Sequence, residues 1–393
     1  MAEDEKPYRV YRAGRGKKKA PLASRGGLLG GGEPGAGGVP GQPGSGVYHG
    51  PGAAPKPAHW GRRIGLGLAL LLILIVVWGV LGWFSFSSGV SDANSRLDPG
   101  AKAALDPQTG LLFSRSTTIL LLGTDNAATK GRASDEHSDS IMLMRTDPAR
   151  HRIYYLSIPR DIEVPIPGNG TQKINAAMQI GGPALAIKTI HAFVGVPINH
   201  VVVVNFADFK TLIDRLGGIT INVPKPILSD RFDCPYKTQA QCQKWRGWRF
   251  AKGPQHMSGE RALIYSRVRV NQLDPAESDV TRGARQQAVI QAVLAKFTSP
   301  SVLLSLPFDG SSLARPLTTD MSAGQLAQFA WVKFRASTGG SVHCRLGGDF
   351  GGGGNGAPSE DNPATIAMFL GVSAPQPPTS TFGPGCVSGH TLQ

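Results

Sequence analysis

The sequence predicts an α/β protein: a three-layer αβα domain with a central mixed sheet, preceded by a single transmembrane helix. Three observations predict it. Residues 64–84, "IGLGLALLLILIVVWGVLGWF", are uncharged, apolar and long enough to cross a bilayer as a helix. After them, short β-branched runs alternate with segments of helical period. Some of those runs, such as Val201 to Val204, are continuously apolar, as expected of strands covered on both faces.

The elements follow in order. Residues 1–63 are rich in Gly, Pro, Lys and Arg and poor in large aliphatics, which predicts a disordered tail. Trp60, Trp78 and Trp83 sit near the ends of the apolar run, where indoles favour the membrane boundary. The length of the run, the long tail before it and the lack of a small-residue cleavage site distinguish it from a secretory signal. Lys17, Lys18, Lys19, Arg25, Lys56, Arg62 and Arg63 precede the run, and the flank after it is nearly neutral. The positive-inside rule then makes the tail cytoplasmic and the rest extracytoplasmic.

Residues 85–115 are expected to be a linker, 116–346 the extracytoplasmic αβα domain and 347–393 a Gly/Pro-rich, loop-like extension. Within the domain, 117–123, 140–145, 152–158, 200–206 and 219–223 read as strands. Residues 183–195, 206–218, 258–267, 278–297 (capped by Ser278) and 322–334 read as helices, with Pro183 near one start and a Gly pair at one stop.

The formal net charge is +14, a balance that often marks nucleic-acid binders. Much of the excess here lies in the tail beside the membrane, where anionic headgroups are the simpler partner, so no nucleic acid is expected. All four cysteines follow the apolar run. Cys234 with Cys242, and Cys344 with Cys386, are candidate disulfides suited to an oxidising compartment. No CxxC or CxxH spacing supports the rival reading, a metal site.

Asp125 ends the first strand and Asp139 begins the second, at strand ends where α/β sheets bind ligands. Brought together, two carboxylates would suit a hard cation such as Mg²⁺, which shares its shell with phosphate. As single residues, both also fit ordinary turn or cap roles. Arg160 ends the third strand in "LSIPRD". Arg267 and Arg269 alternate in "YSRVRV" and would share a face if that segment is extended. Arg282 and Gln286 are stacked on one side of the long helix, with Arg285 off that stripe. Each arginine alone fits a surface or ion-paired role, with Asp161 or Asp279 as partner. Together, from distant segments, they point to one polyanion site. No GxSxG elbow, HExxH or Walker loop is present, and the "GGDFGGGG" run lacks the context of a phosphate loop. The "NGT" sequon (169–171) is too short a match to carry weight.

The ordered set "ILLLGTD", "SDSIMLMRTDP", "LSIPRD", "KINAA", "NHVVVVNFADFKTLIDRLGGITINV", "GERALIYSRVR" and "DVTRGARQQ" resembles the LytR-CpsA-Psr family of bacterial envelope proteins over roughly residues 117–297. The resemblance implies an extracytoplasmic phosphotransferase. Its donor would be a glycan carried on a polyprenyl pyrophosphate, its acceptor peptidoglycan, its product a phosphodiester, and polyprenyl phosphate would be released. It implies Mg²⁺ on Asp125 and Asp139, and pyrophosphate on Arg160, Arg267, Arg269, Arg282 and Gln286. Two departures stand out. His137 occupies a position where the family usually has Arg, and "NAA" (126–128) lacks an Arg often found there, for which Lys130 or Arg132 could substitute. The rival readings are a lipid pyrophosphatase, a non-catalytic polyprenyl-lipid binder, and a transcriptional regulator. The last conflicts with the predicted topology and with the lack of a helix-turn-helix pattern.

Overall fold

A computed structural model of the chain describes residues 60–125, 138–274, 279–336, 340–350, 356–380 and 383–389. The predicted tail up to residue 59 lies outside the described residues, as do His137, "NAA", Lys130, Arg132 and Ser278.

The apolar run lies within one long helix, α1 (Trp60–Ser95), followed by α2 (Pro99–Ala103). Next come β1 (Thr118–Thr124), β2 (Ser138–Asp147), β3 (Arg152–Ile158), β4 (Glu163–Ile166), β5 (Gly170–Lys173), α3 (Ala176–Val194) and β6 (His200–Asn205). The middle of the chain forms α4 (Phe206–Arg215), β7 (Ile219–Val223), β8 (Ile227–Leu228), α5 (Gln239–Lys244), β9 (Arg249–Phe250), β10 (Gly253–Met257) and α6 (Gly259–Arg267). Then follow α7 (Asp279–Phe297), α8 (Pro300–Ala314), β11 (Thr318–Thr319) and α9 (Ala323–Arg335). The chain closes with β12 (Val342–Arg345), β13 (Gly348–Phe350), β14 (Gly356–Pro358), α10 (Asn362–Phe369) and β15 (Gly385–Ser388).

The central sheet has seven strands in the order β11-β6-β1-β2-β3-β12-β15. It is mixed: β1 runs parallel to β6 and β3 parallel to β12, and the other pairings are antiparallel. Strand alternation divides the core between its two faces. Leu120, Leu122, Ile141, Leu143, Tyr154 and Leu156 pack toward Ile187 and Ile190 of α3. Ile119, Met142, Met144, Ile153 and Tyr155 pack toward Phe329 of α9 and Ile290 of α7. Helices on both faces of one mixed sheet make the predicted αβα layers.

Four local readings change. The predicted strand 219–223 forms as β7, but it pairs with β10 outside the central sheet. The expected linker belongs to the domain: α1 continues to Ser95, and Leu97, Ala101 and Leu112 are buried. The expected loop-like extension contains α10, and its β15 adds an edge to the sheet by pairing with β12. Finally, "YSRVRV" is not extended throughout, because α6 runs to Arg267 and ends with the Val268 amide bonded to the Ile264 carbonyl. Both predicted disulfides are present, and Cys344 and Cys386 are also direct partners in the β12–β15 register.

Candidate active site

The site lies across one end of the central strands, at the carboxyl ends of β1, β3 and β6 and the start of β2. Thr124 pairs with Ser138 and Gly123 with Ser140, so Asp139 is the extra residue of a β-bulge. Bulges re-aim backbone beside functional sites. Asp125 follows directly after β1 and is half-buried. Ile158 pairs with Ile141 as the last pair of the β2–β3 ladder, and the chain then turns at Arg160, two residues past the end of β3. The three predicted residues therefore come from three adjacent strand ends, the usual place for a ligand on such a sheet. The side chain of Asp139 lies outside the described residues, and so does that of Asp279.

A cavity of about 700 Å³ begins at this end. Gly123, Ser140, Arg267, Arg269, Arg282 and Gln286 line its polar end. Beyond them the lining is mostly apolar, including Val289, Val293, Leu294 and Phe297 on α7, with Asp230 and Lys333 as its other charged residues. From Arg282 to Phe297 the cavity follows α7 for about 22 Å, at 1.5 Å per helical residue. Its shape is that of an amphiphile with an anionic head and a long hydrocarbon tail.

The polar end is held by specific contacts. The Ser140 hydroxyl donates to Gln286 Oε1 at 3.0 Å, tying β2 to α7. Arg285, off the cavity stripe, donates to the Val268 carbonyl and braces the segment that carries Arg267 and Arg269. The Arg267 guanidinium lies 5.1 Å from the Phe206 ring and 5.6 Å from the Phe232 ring, and it is ion-paired with Asp233. Aromatic faces favour a cation there and limit its hydration.

Arg160 differs from the other arginines: it is not among the residues lining the cavity. Its Nε donates to Asp161 Oδ2 at 3.3 Å, and Lys173 donates to Asp161 Oδ1 at 3.0 Å. Burial opposes ionisation of Asp161. The Lys173 hydrogen bond and the charges of Arg160 and Lys173 outweigh it, and the carboxyl titrates below its ordinary range. Asp161 is thus a structural partner, ill suited to take a proton at neutral pH.

Sequence reasoning missed Asp233, Phe206 and Phe232. Phe206 had a local signal, since it directly follows the end of β6 at the same end of the sheet. Asp233 and Phe232 had little, since they sit in the irregular stretch before the Cys234–Cys242 loop.

The LytR_cpsA_psr family model matches residues 81–338. This chain belongs to that family. Among curated LytR_cpsA_psr relatives, it is 32% identical over 243 residues to the polyisoprenyl-teichoic acid–peptidoglycan teichoic acid transferase TagV of Bacillus subtilis, covering 61% of this chain and 59% of that protein. It is 31% identical over 265 residues to the corresponding TagU enzyme of Bacillus cereus, covering 66% of this chain and 79% of that protein. A solved structure of TagT bound to LI-WTA is also similar, with 25% identity and a TM-score of 0.49, covering 67% of this chain and 94% of that one.

Proposed function

We propose that the protein transfers a glycopolymer from a polyprenyl pyrophosphate carrier to a peptidoglycan hydroxyl, leaving a phosphodiester and releasing polyprenyl phosphate. The observation that carries this reading is the cavity: arginines at one end, a long apolar channel behind them. The transferase names of the curated relatives support it. In the reaction, the acceptor oxygen bonds to the phosphorus that bears the glycan. The bridging P–O bond of the pyrophosphate breaks, and polyprenyl phosphate leaves with the bridging oxygen. The hydroxyl proton passes to a base that the described residues do not identify. Positioning and neutralised phosphate oxygens supply most of the rate in such transfers.

Each part of the site has a role in this reading. Arg267, Arg269 and Arg282 take the charge of the two phosphates, Arg282 from a buried position on α7. Gln286, held by Ser140, sets the depth of the head, and the apolar lining along α7 keeps the prenyl chain out of water. Arg160, at the adjacent strand end, supports the glycan-side phosphate rather than the prenyl side.

Asp125 and Asp139 would hold Mg²⁺, which when bound neutralises phosphate oxygens. Among the described residues no three His, Cys, Asp or Glu side chains gather as a cage. Two carboxylates are oxygen-only donors, the set suited to a hard ion that completes its shell with phosphate and water. Orientation follows the charge asymmetry about α1, with the domain extracytoplasmic and near its lipid donor.

The test uses the full chain in vesicles, a polyprenyl pyrophosphate oligosaccharide and a peptidoglycan fragment, with products followed by mass spectrometry. A phosphodiester-coupled product that EDTA abolishes is expected. Polyprenyl phosphate formed at the same rate with and without acceptor, and never coupled, would instead establish a pyrophosphatase.

A further inference from the structure

The anchor helix and α8 form one surface. Phe308 meets Trp78 edge to face, with ring centroids 5.3 Å apart. An added Cβ on Gly89 would lie 2.4 Å from the Ser311 carbonyl oxygen, and one on Gly310 2.8 Å from the Phe86 amide nitrogen. These two glycines let the helices meet backbone to backbone. Further along, Arg315 Nε donates to Asp92 Oδ2 at 3.0 Å. The contacts pair Trp78 with Phe308, Gly89 with Ser311 and Asp92 with Arg315, so α8 runs beside α1 in the same direction.

That alignment fixes a depth. The uncharged run of α1 ends at Phe84, and Trp78 lies six residues earlier, about 9 Å nearer the middle of the span. Gly82 packs on Leu306 and Pro307, and Gly310 on Phe86. The Phe308 backbone is therefore level with the end of that run, while its ring reaches back to Trp78. Leu303 and Leu304 lie on the preceding turn of α8, nearer the middle of the span. Phe308, Leu303 and Leu304 are more than half exposed on the protein surface, at 74%, 54% and 65%. From Phe297 to Phe308 the sequence carries no Asp, Glu, Lys or Arg. A helix with this face, at this level of a membrane helix, has hydrocarbon as its natural neighbour.

The cavity reaches the same face. Its lining includes Gly79, Gly82 and Trp83 of α1 and Leu303 and Leu306 of α8. Trp83 and Leu303 line the cavity and are also about half exposed, at 47% and 54%.

We propose that α8 is inserted into the leaflet nearest the domain and, with α1, frames a side opening from that leaflet into the cavity. The occupant of the exposed α8 face is the acyl region of the membrane that α1 spans, by continuity with the lipid-facing surface of α1. A prenyl chain then slides sideways from bilayer to cavity without crossing water. The opening rests on the transferase reading. The insertion itself does not.

The experiment uses the full chain reconstituted in phosphatidylglycerol–phosphatidylethanolamine vesicles. All four cysteines are paired, so Leu304→Cys offers one thiol for a nitroxide label. The expected spin-relaxation result is high exposure to oxygen and low exposure to a water-soluble nickel chelate, the reverse of a label at exposed Thr220→Cys. A Leu304 label as open to nickel as the Thr220 label would overturn the insertion. Leu304 does not line the cavity, so Leu304→Asp separates entry from chemistry. Transfer from a long-chain donor in vesicles should fall at least ten-fold, with a short water-soluble donor unaffected. Unchanged transfer from the vesicle donor, or equal loss on both donors, would overturn the side opening. Wild-type protein inactive on both donors would defeat the transferase reading, while the label depth still decides the insertion.

Discussion

Arg267 is ion-paired with Asp233, the residue directly before Cys234 of the Cys234–Cys242 disulfide. Asp233 adopts a left-handed backbone conformation, φ 48°, uncommon outside glycine but tolerated by Asp. A carboxylate thus sits on a guanidinium proposed to bind the pyrophosphate. Both side chains are partly exposed, so the pair contributes no more than about 1 kcal/mol. Asp233→Asn should tighten donor binding by up to about five-fold, measured by calorimetry with a polyprenyl pyrophosphate. Weaker binding in this variant would show that Asp233 positions Arg267 rather than competing for it.

Arginine truncation should divide the site. Arg267→Ala and Arg282→Ala each remove a charge-assisted contact worth about 1.5–3 kcal/mol, so donor Kd should rise roughly ten-fold to a hundred-fold. Arg160 lies outside the cavity lining, so Arg160→Ala should lower turnover more than affinity. Equal Kd increases in all three variants would place Arg160 on the prenyl-side phosphate instead.

How much of this was legible in the sequence depends on the range of each signal. The strands β1, β2 and β3 and the Arg282–Gln286 stripe of α7 are local patterns of period 2 and 3.6, and they stand where those periods place them. The helix α8 was hidden by Pro307 and Gly310, which read as breakers. Its glycine serves the approach to Phe86, a contact over more than two hundred residues. The edge strand β15 was masked by its Gly/Pro-rich surroundings. The Asp233–Arg267 pair joins a surface loop to a helix end 34 residues away, and no local pattern encodes it.

Asp161 sets a pH dependence. Its folded pKa lies below the ordinary carboxylate value, so its ion pairs stabilise the fold above about pH 4. That contribution is lost as pH falls through the depressed folded value. Asp161→Asn should therefore lower Tm at pH 7, and the gap to wild type should close in strong acid. A constant gap across that range would remove ionisation as the cause.

The two disulfides should differ in weight. Cys344 and Cys386 are fully buried and 42 residues apart, whereas Cys234 and Cys242 are 8 apart in an exposed loop. Loop entropy assigns about 4 kcal/mol to the first and about 2.5 kcal/mol to the second. Replacing both cysteines of the long bridge by Ser should give the larger drop in Tm, read by calorimetry, and should free β15 from β12 in hydrogen exchange.

Asp125→Ala should abolish Mg²⁺-dependent transfer while leaving binding of the prenyl tail within about two-fold, since Asp125 lies outside the cavity lining. Full activity in this variant with EDTA present would remove Mg²⁺ from the account.

The central claim is that one cavity holds both ends of a polyprenyl pyrophosphate. The most direct measurement is a structure of the full chain with that lipid bound. The account predicts phosphates within hydrogen-bonding distance of Arg267, Arg269 and Arg282, and a prenyl chain lying along α7 toward Phe297. A lipid bound elsewhere, with these arginines unengaged and transfer intact, would contradict it.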